Sequence, residues 1–260
     1  MHEITFIQGF LLALLAFVVG MDFYLEVFFW FRPIIVGTLT GLILGDVQTG
    51  VIGGGIAELA FAGLTPAGGS QPPNPILAGL MTPVISFTTG LNAVQSLALA
   101  LPFSFLMQYV VLMFWSTYSF LMPKLDEYAK KSETKKFIML NVLSLVFVGL
   151  VYAIVVFLSA YLAQNSMREI VSKMPEWLAH GFSIIGGVLP AIGFAMLLKI
   201  MLKGWLVPYL LFGLIFALFI PYNNLLPLAV IACGLGIIEF NKKNNPNQVD
   251  LNGGNSNDGI

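Results

Sequence analysis

Residues 54–81, GGIAELAFAGLTPAGGSQPPNPILAGLM, carry a single carboxylate, Glu58, inside a run of small and apolar side chains. No base lies within 25 residues of it on either side. An ionisable group in such surroundings costs several kcal/mol unless it is paired or hydrated. Glu58 therefore has three readings: a protonated glutamate hydrogen-bonded to a neighbouring helix, a partner for a base distant in sequence, or an acceptor for a polar solute. The triple glycine just before it removes side chains, so that a backbone or a ligand can approach closely. Directly after it, TPAGGSQPPNP (65–75) cannot form a helix, because Pro66, Pro72, Pro73 and Pro75 remove donors and fix backbone angles. Its polar backbone must be met by water, protein or solute. Ser70, Gln71 and Asn74 add neutral donors and acceptors there. Amides, a hydroxyl and one carboxylate suit a polyol such as a sugar, whose hydroxyls each give and take a hydrogen bond.

Other chemistries find no support. His2, His180 and Cys233 are the only residues of their types and make no metal-ligand cluster. The glycines of GVIGGGIAE lack the GK(S/T) ending of a phosphate loop, and no GxSxG elbow occurs. Twelve basic and thirteen acidic side chains do not build a nucleic-acid surface.

The elements that must position these groups are membrane helices. Of 260 residues, 58% are apolar and 10% charged, against roughly 25% charged in an ordinary soluble domain. The chain is expected to be solvated by lipid, and its start, led by His2 and Glu3 without a base, does not read as a cleavable signal. Apolar segments fall at about 4–21, 33–45, 51–64, 76–91, 94–123, 137–163, 182–202, 205–221 and 224–240. A span needs roughly 20 residues. The segments 33–45 and 51–64 are too short alone, which predicts re-entrant hairpins or broken helices facing protein or a watery cavity. The expected fold is an all-α integral membrane bundle with core and scaffold parts over residues 1–240, followed by an Asn-rich disordered tail at 241–260.

The loop KLDEYAKKSETKK (124–136), with five lysines and three acids, is expected on the cytoplasmic side. Counting crossings from it places 164–180 outside and Lys199, Lys203, Lys242 and Lys243 inside, with a cytoplasmic C-terminus. The first sixty residues concentrate acids: Glu3, Asp22, Glu26, Asp46 and Glu58 against the one base, Arg32. Asp22 and Glu26, four apart, share a helix face with Arg32 near them, and Asp46 after Gly45 reads as a turn residue or cap. A faint internal echo joins RPIIVGTLTGLILGD (32–46) to VPYLLFGLIFALFIP (207–221), each followed by a Gly-containing segment with one glutamate, Glu58 and Glu239.

The stretch FRPIIVGTLTGLILGDVQTGVIGGGIAELAFAGLTPAGGSQPPNP (31–75) resembles the N-terminal hallmark of IIC components of mannose/sorbose-family phosphotransferase systems. The family pattern of an early Gln, an RP pair, a GDxxTG turn and a Gly-rich helix with a Glu falls here on Gln8, Arg32-Pro33, Gly45-Asp46 with Thr49-Gly50, and Glu58. The likeness covers nearly the whole chain apart from the tail. Within the family, MHEIT, IQG and ELAFAGLTPAGG with QPPNP are most similar to the branch specific for N-acetylgalactosamine or galactosamine. Mannose-type members carry Asp at the place of Asn74, so the resemblance favours an amino sugar.

That resemblance implies a sugar permease subunit rather than an enzyme, without cofactor or metal, in a bacterial inner membrane. It implies a IID membrane partner, a trimer of IIC–IID pairs, and soluble IIA and IIB proteins that carry the phosphoryl group. It also implies elevator-like movement, and a substrate site drawn from Glu58, Gln71, Asn74, Gln8, Ser70 and Asp46. The competing class is an ion-coupled secondary transporter, which would also set a lone carboxylate beside broken helices.

Overall fold

The computed structural model describes residues 2–64, 72–219 and 226–244, and every regular element among them is helical. The chain divides into two compact units at Ile200. The first contains α1 (Phe6–Leu25), α2 (Pro33–Leu44), α3 (Val47–Phe61), α4 (Pro75–Thr89), α5 (Ala93–Tyr118), α6 (Met122–Lys130), α7 (Thr134–Phe157), α8 (Gln164–Ser172) and α9 (Glu176–Met201), the last reaching the boundary. A π turn, Leu158–Leu162, prolongs α7. The second unit holds α10 (Val207–Phe219) and α11 (Leu226–Asn244).

Among the described residues, four helices are long and apolar enough to cross a bilayer: Phe6–Leu25, Ala93–Tyr118, Thr134–Leu162 and Glu176–Met201. Helices α2, α3, α4, α10 and α11 follow the short apolar blocks of the sequence, whereas α6 and α8 are polar. At 1.5 Å per residue α2 covers about 18 Å and α3 about 22 Å, short of the roughly 30 Å hydrocarbon layer. They form an antiparallel hairpin in which glycines let the backbones touch. A Cβ added at Gly37 would stand 2.5 Å from the Gly54 Cα, and one at Gly41 would stand 2.6 Å from the Gly50 Cα. Small residues four apart on both helices replace the hydrophobic drive that lipid cannot supply.

Local signals fix the helix ends. Thr5 and Gln8 form a capping box at the start of α1, and Asn74 and Asn92 cap α4 and α5. Gly45 and Gly90 close α2 and α4 in the left-handed conformation, with φ of 82° and 76°. Helix α4 is buried nearly all round, as expected of a short helix enclosed by protein rather than lipid. Its Leu77, Leu80, Met81 and Val84 join Leu12 and Val19 of α1, Met107 and Val111 of α5, and Tyr152 of α7 in the main core. The outward faces of α7 and α9 keep Ile138, Met139, Leu143, Ile184 and Ile192 exposed, which suits lipid or partner helices.

Residues 2–5 lie across one end of the bundle. Gln164 of α8 exchanges two hydrogen bonds with the Ile4 backbone, at 2.8 and 3.1 Å, and His2 stacks on Phe87. Arg168 donates to the Thr88 carbonyl at 3.0 Å, an acceptor in the last turn of α4, and pairs with Glu3 at 3.0 Å. The lysine-rich loop occupies α6 and the start of α7, where Lys131 sits 2.5 Å from Glu127 and holds that carboxyl below its ordinary pKa.

Candidate functional site

A cavity of about 460 Å³ opens where the C-terminal ends of α1 and α3, the N-terminal ends of α2 and α4, and the second half of α5 converge. Its volume is in the range of small-molecule sites. Its polar lining is Glu26, Arg32, Glu58 and Gln108, and its apolar wall includes Phe23, Tyr24, Phe31, Phe61 and Trp115. Phe23 stands edge-on to both Tyr24 and Phe31, with centroids 5.7 and 5.3 Å apart, so these rings make one continuous surface. A wall of rings with a few convergent polar groups is suited to a pyranose. The rings pack on C–H faces while carboxylate, guanidinium and amide take the hydroxyls.

The hairpin register brings the charges together. Pairing Gly37 with Gly54 and Gly41 with Gly50 sets the base of α2 beside the end of α3, so Arg32 forms an ion pair with Glu58. The other Glu58 oxygen accepts the Ile34 N–H at 3.3 Å, one of the donors that the first turn of α2 leaves without an intrahelical partner. Of the three readings of Glu58, pairing to a distant base is therefore realised, while its position on the cavity wall leaves a solute contact open. Arg32, expected near Asp22 and Glu26, lines the cavity with Glu26 but gives its ion pair to Glu58.

Asp22 has another task. It is buried, and its two oxygens accept the backbone N–H of Phe28 at 2.9 Å and of Trp30 at 2.7 Å. That brace fixes the irregular link between α1 and α2, in which Glu26 and Phe29 adopt positive φ of 49° and 58°. Glu26, Phe31 and Arg32 reach the cavity from this link.

The remaining expected site residues are distributed as follows. Ser70 and Gln71 lie outside the described residues; Pro72, next in the chain, lines the cavity. Asn74 is fully buried one residue before the lining Pro75. Its side chain caps α4 through Leu77 N–H at 3.2 Å and donates to the Tyr152 hydroxyl at 2.6 Å, and its carbonyl receives Ser104 Oγ at 2.5 Å. Gln8 and Asp46 sit at the far end of the α2–α3 hairpin, about 18 Å of helix away from Glu58. Gln8 donates to the Leu44 carbonyl at 3.2 Å, and Asp46 caps α3 through Thr49 N–H at 3.0 Å and Thr49 Oγ1 at 2.6 Å. Of the four expected residues that are described, only Glu58 lines the cavity. Arg32, Glu26, Gln108 and Trp115 were not assigned from sequence. The matched glycine spacing 37/41 and 50/54 was the signal that points to Arg32.

Comparison with known proteins agrees with this architecture. The family described as the sorbose-specific IIC component of a PTS system matches residues 6–238. An N-acetylgalactosamine permease IIC component 1 of Escherichia coli K12 is 55% identical over 240 residues, covering 92% of this chain and 90% of that protein. The mannose-specific EIIC component of the same organism is 27% identical over 91% of this chain and 89% of its own length. A solved structure described as a membrane protein superposes with a TM-score of 0.82 at 27% identity, over 94% of this chain and 99% of that one. The mannose transporter ManYZ, solved by cryo-electron microscopy in complex with microcin E492, gives a TM-score of 0.59 at 27% identity, over 92% of this chain and 97% of that one. The chain belongs to the sorbose-type family of phosphotransferase-system IIC components, membrane-spanning sugar permease subunits rather than catalysts.

Proposed function

We propose that this subunit carries N-acetylgalactosamine or galactosamine across the bacterial inner membrane for phosphorylation by a IIB protein. The 55% identity to an N-acetylgalactosamine permease component supports the sugar. The observation that carries the transport reading is the cavity itself, a ring-walled pocket with an ion pair and an amide inside an otherwise apolar bundle. The sugar-contacting set is Glu58, Arg32 and Gln108, with Ser70 and Gln71 joining from the segment before Pro72. Asn74 acts by setting the start of α4, Gln8 by holding the tip of the hairpin against α1, and Asp46 by capping α3 at that tip.

The cavity draws Gln108, Val111 and Trp115 from the half of α5 that leads into α6 and the lysine-rich loop. With that loop cytoplasmic by the positive-inside rule, the cavity opens toward the side where IIB delivers its phosphoryl group. Residues 2–5 and α8 then face outward. The new phosphate adds about −2 charge, and the carboxylates of the cavity repel it toward the cytoplasm. The partners are a IID membrane subunit, in a trimer of IIC–IID pairs, with IIA and IIB in solution. Elevator-like movement of a core part against a scaffold exchanges the cavity between faces.

An ion-coupled transporter is less favoured, because Glu58 already has a fixed cation in Arg32. The test is uptake of labelled N-acetylgalactosamine into vesicles that contain this chain and its IID partner. Uptake should require phosphoenolpyruvate and the soluble phosphotransferase proteins, and should deliver sugar phosphate. Accumulation of unmodified sugar, driven by a proton or sodium gradient without those proteins, overturns the reading.

A further inference from the structure

We propose that Glu26 is a second carboxylate, beside Glu58, that receives hydroxyls of the sugar in this cavity, an assignment that rests on the sugar-transport reading above. Five acids crowd the first sixty residues, and the structure provides partners for four. Glu3 pairs with Arg168, Asp22 accepts two backbone N–H groups, Asp46 accepts Thr49, and Glu58 holds Arg32 and the Ile34 N–H. The carboxylate of Glu26 makes no hydrogen bond or ion pair among the described residues. It is exposed and lines the cavity.

Its backbone is equally unusual. Glu26 closes α1 with φ 49° and ψ 37°, in the left-handed region. The same molecule ends α2 and α4 with the same kind of cap, and at both it uses glycine, Gly45 and Gly90. Left-handed geometry is costlier for a residue with a Cβ than for glycine. A capping role alone would thus be better filled by Gly. The strain is held in place by Asp22, which clamps Phe28 and Trp30 just beyond. A side chain kept at a strained position, without a partner, on the wall of a cavity is a group available to a ligand.

The chemistry fits a neutral polyol. A carboxylate accepts from two hydroxyls at once, as a vicinal diol presents them, and such charge-assisted bonds are about twice as strong as neutral ones. Glu58 has part of its accepting capacity already spent on Arg32 and Ile34, whereas Glu26 keeps both oxygens. Phe23 and Phe31, stacked edge-on to each other, provide the apolar surface beside it.

The experiment measures sugar affinity and thermal midpoint for the complex of this chain with its IID partner, as wild type, Glu26→Gly and Glu26→Gln. The probes are N-acetylgalactosamine, galactosamine, mannose and sorbose. Glu26→Gly should hold or raise the midpoint, because it relaxes the left-handed backbone, yet weaken the bound sugar about 10- to 100-fold. Glu26→Gln should weaken it too, at an unchanged midpoint. Wild-type affinity in Glu26→Gly overturns the assignment, as does a midpoint that falls together with affinity, or a glycine variant that fails to assemble. A wild-type complex that binds none of the four sugars overturns the sugar-transport reading and this inference with it.

Discussion

Replacing Asp22 tests whether the link between α1 and α2 is what presents the charged groups to the cavity. Asp22 is 4% exposed, and each of its oxygens receives one backbone N–H, at 2.9 and 2.7 Å. Hydrogen bonds to a charged acceptor contribute about 1.5–3 kcal/mol each. Asp22→Ala removes both, a ceiling of about 3–6 kcal/mol, lowered where cavity water reaches the freed donors. Asp22→Asn keeps one carbonyl oxygen and turns an NH₂ toward the other N–H, so its cost is about 2–3 kcal/mol. The assay is the thermal midpoint of the purified complex together with its affinity for N-acetylgalactosamine. Both variants should lower the midpoint, alanine more than asparagine. Both should also weaken the sugar, because Glu26 and Arg32 lose their fixed positions. An asparagine variant with wild-type midpoint and affinity refutes the brace.

Two further outcomes are expected. Gly41→Ala should lower the midpoint by an amount typical of overpacking, about 1–3 kcal/mol, because the added Cβ meets Gly50 Cα at 2.6 Å and the Asp46 carbonyl at 2.7 Å. Gly55→Ala, on the same hairpin with nothing within 4 Å of its added Cβ, should be neutral or stabilising by about 0.5–1 kcal/mol. Cysteines placed at Ser132 and Ser166 in a Cys233→Ala background should react oppositely with an impermeant thiol reagent, Ser166 from outside and Ser132 only after permeabilisation. Equal labelling from outside overturns the topology.

Much of the fold was legible because lipid leaves few choices. Apolar length marked the four long helices, and short apolar blocks marked α2 and α3 as elements needing protein or a cavity around them. A helix end was readable where a specific residue sets it, as at Asp46. The site was less legible. Asn74 looked like a sugar amide, yet it is fully buried, its amide oxygen caps Leu77 N–H, its amide nitrogen donates to Tyr152, and its backbone carbonyl accepts from Ser104. Polarity in an apolar sequence announces that a group must be satisfied, and does not say whether solute or protein satisfies it. The separation of Arg32 from Glu58 exceeds any helical spacing, so their pairing depends on a tertiary register. Glu26 was invisible for a different reason: its left-handed backbone is set by Asp22 through bonds to residues six and eight positions ahead.

The second unit shows why a glutamate recurs at the base of a short hairpin. Tyr209, in the first turn of α10, donates to Glu239 near the end of α11 at 2.9 Å. Arg32 at the start of α2 and Glu58 near the end of α3 are tied in the same sense. Arg32 and Tyr209 fall within the two segments, 32–46 and 207–221, whose sequences resemble each other. Two antiparallel helices place the start of one beside the end of the other. The start of a helix carries exposed N–H groups and a partial positive charge, which favour a carboxylate there. A glutamate on the last turns of the second helix is within reach of that position. The two ties differ in what they leave behind. A phenol gives its single proton to Glu239 and has no further donor, whereas a guanidinium bound to Glu58 has donors left for a ligand. The first hairpin is therefore the one whose base can both hold itself together and take part in binding.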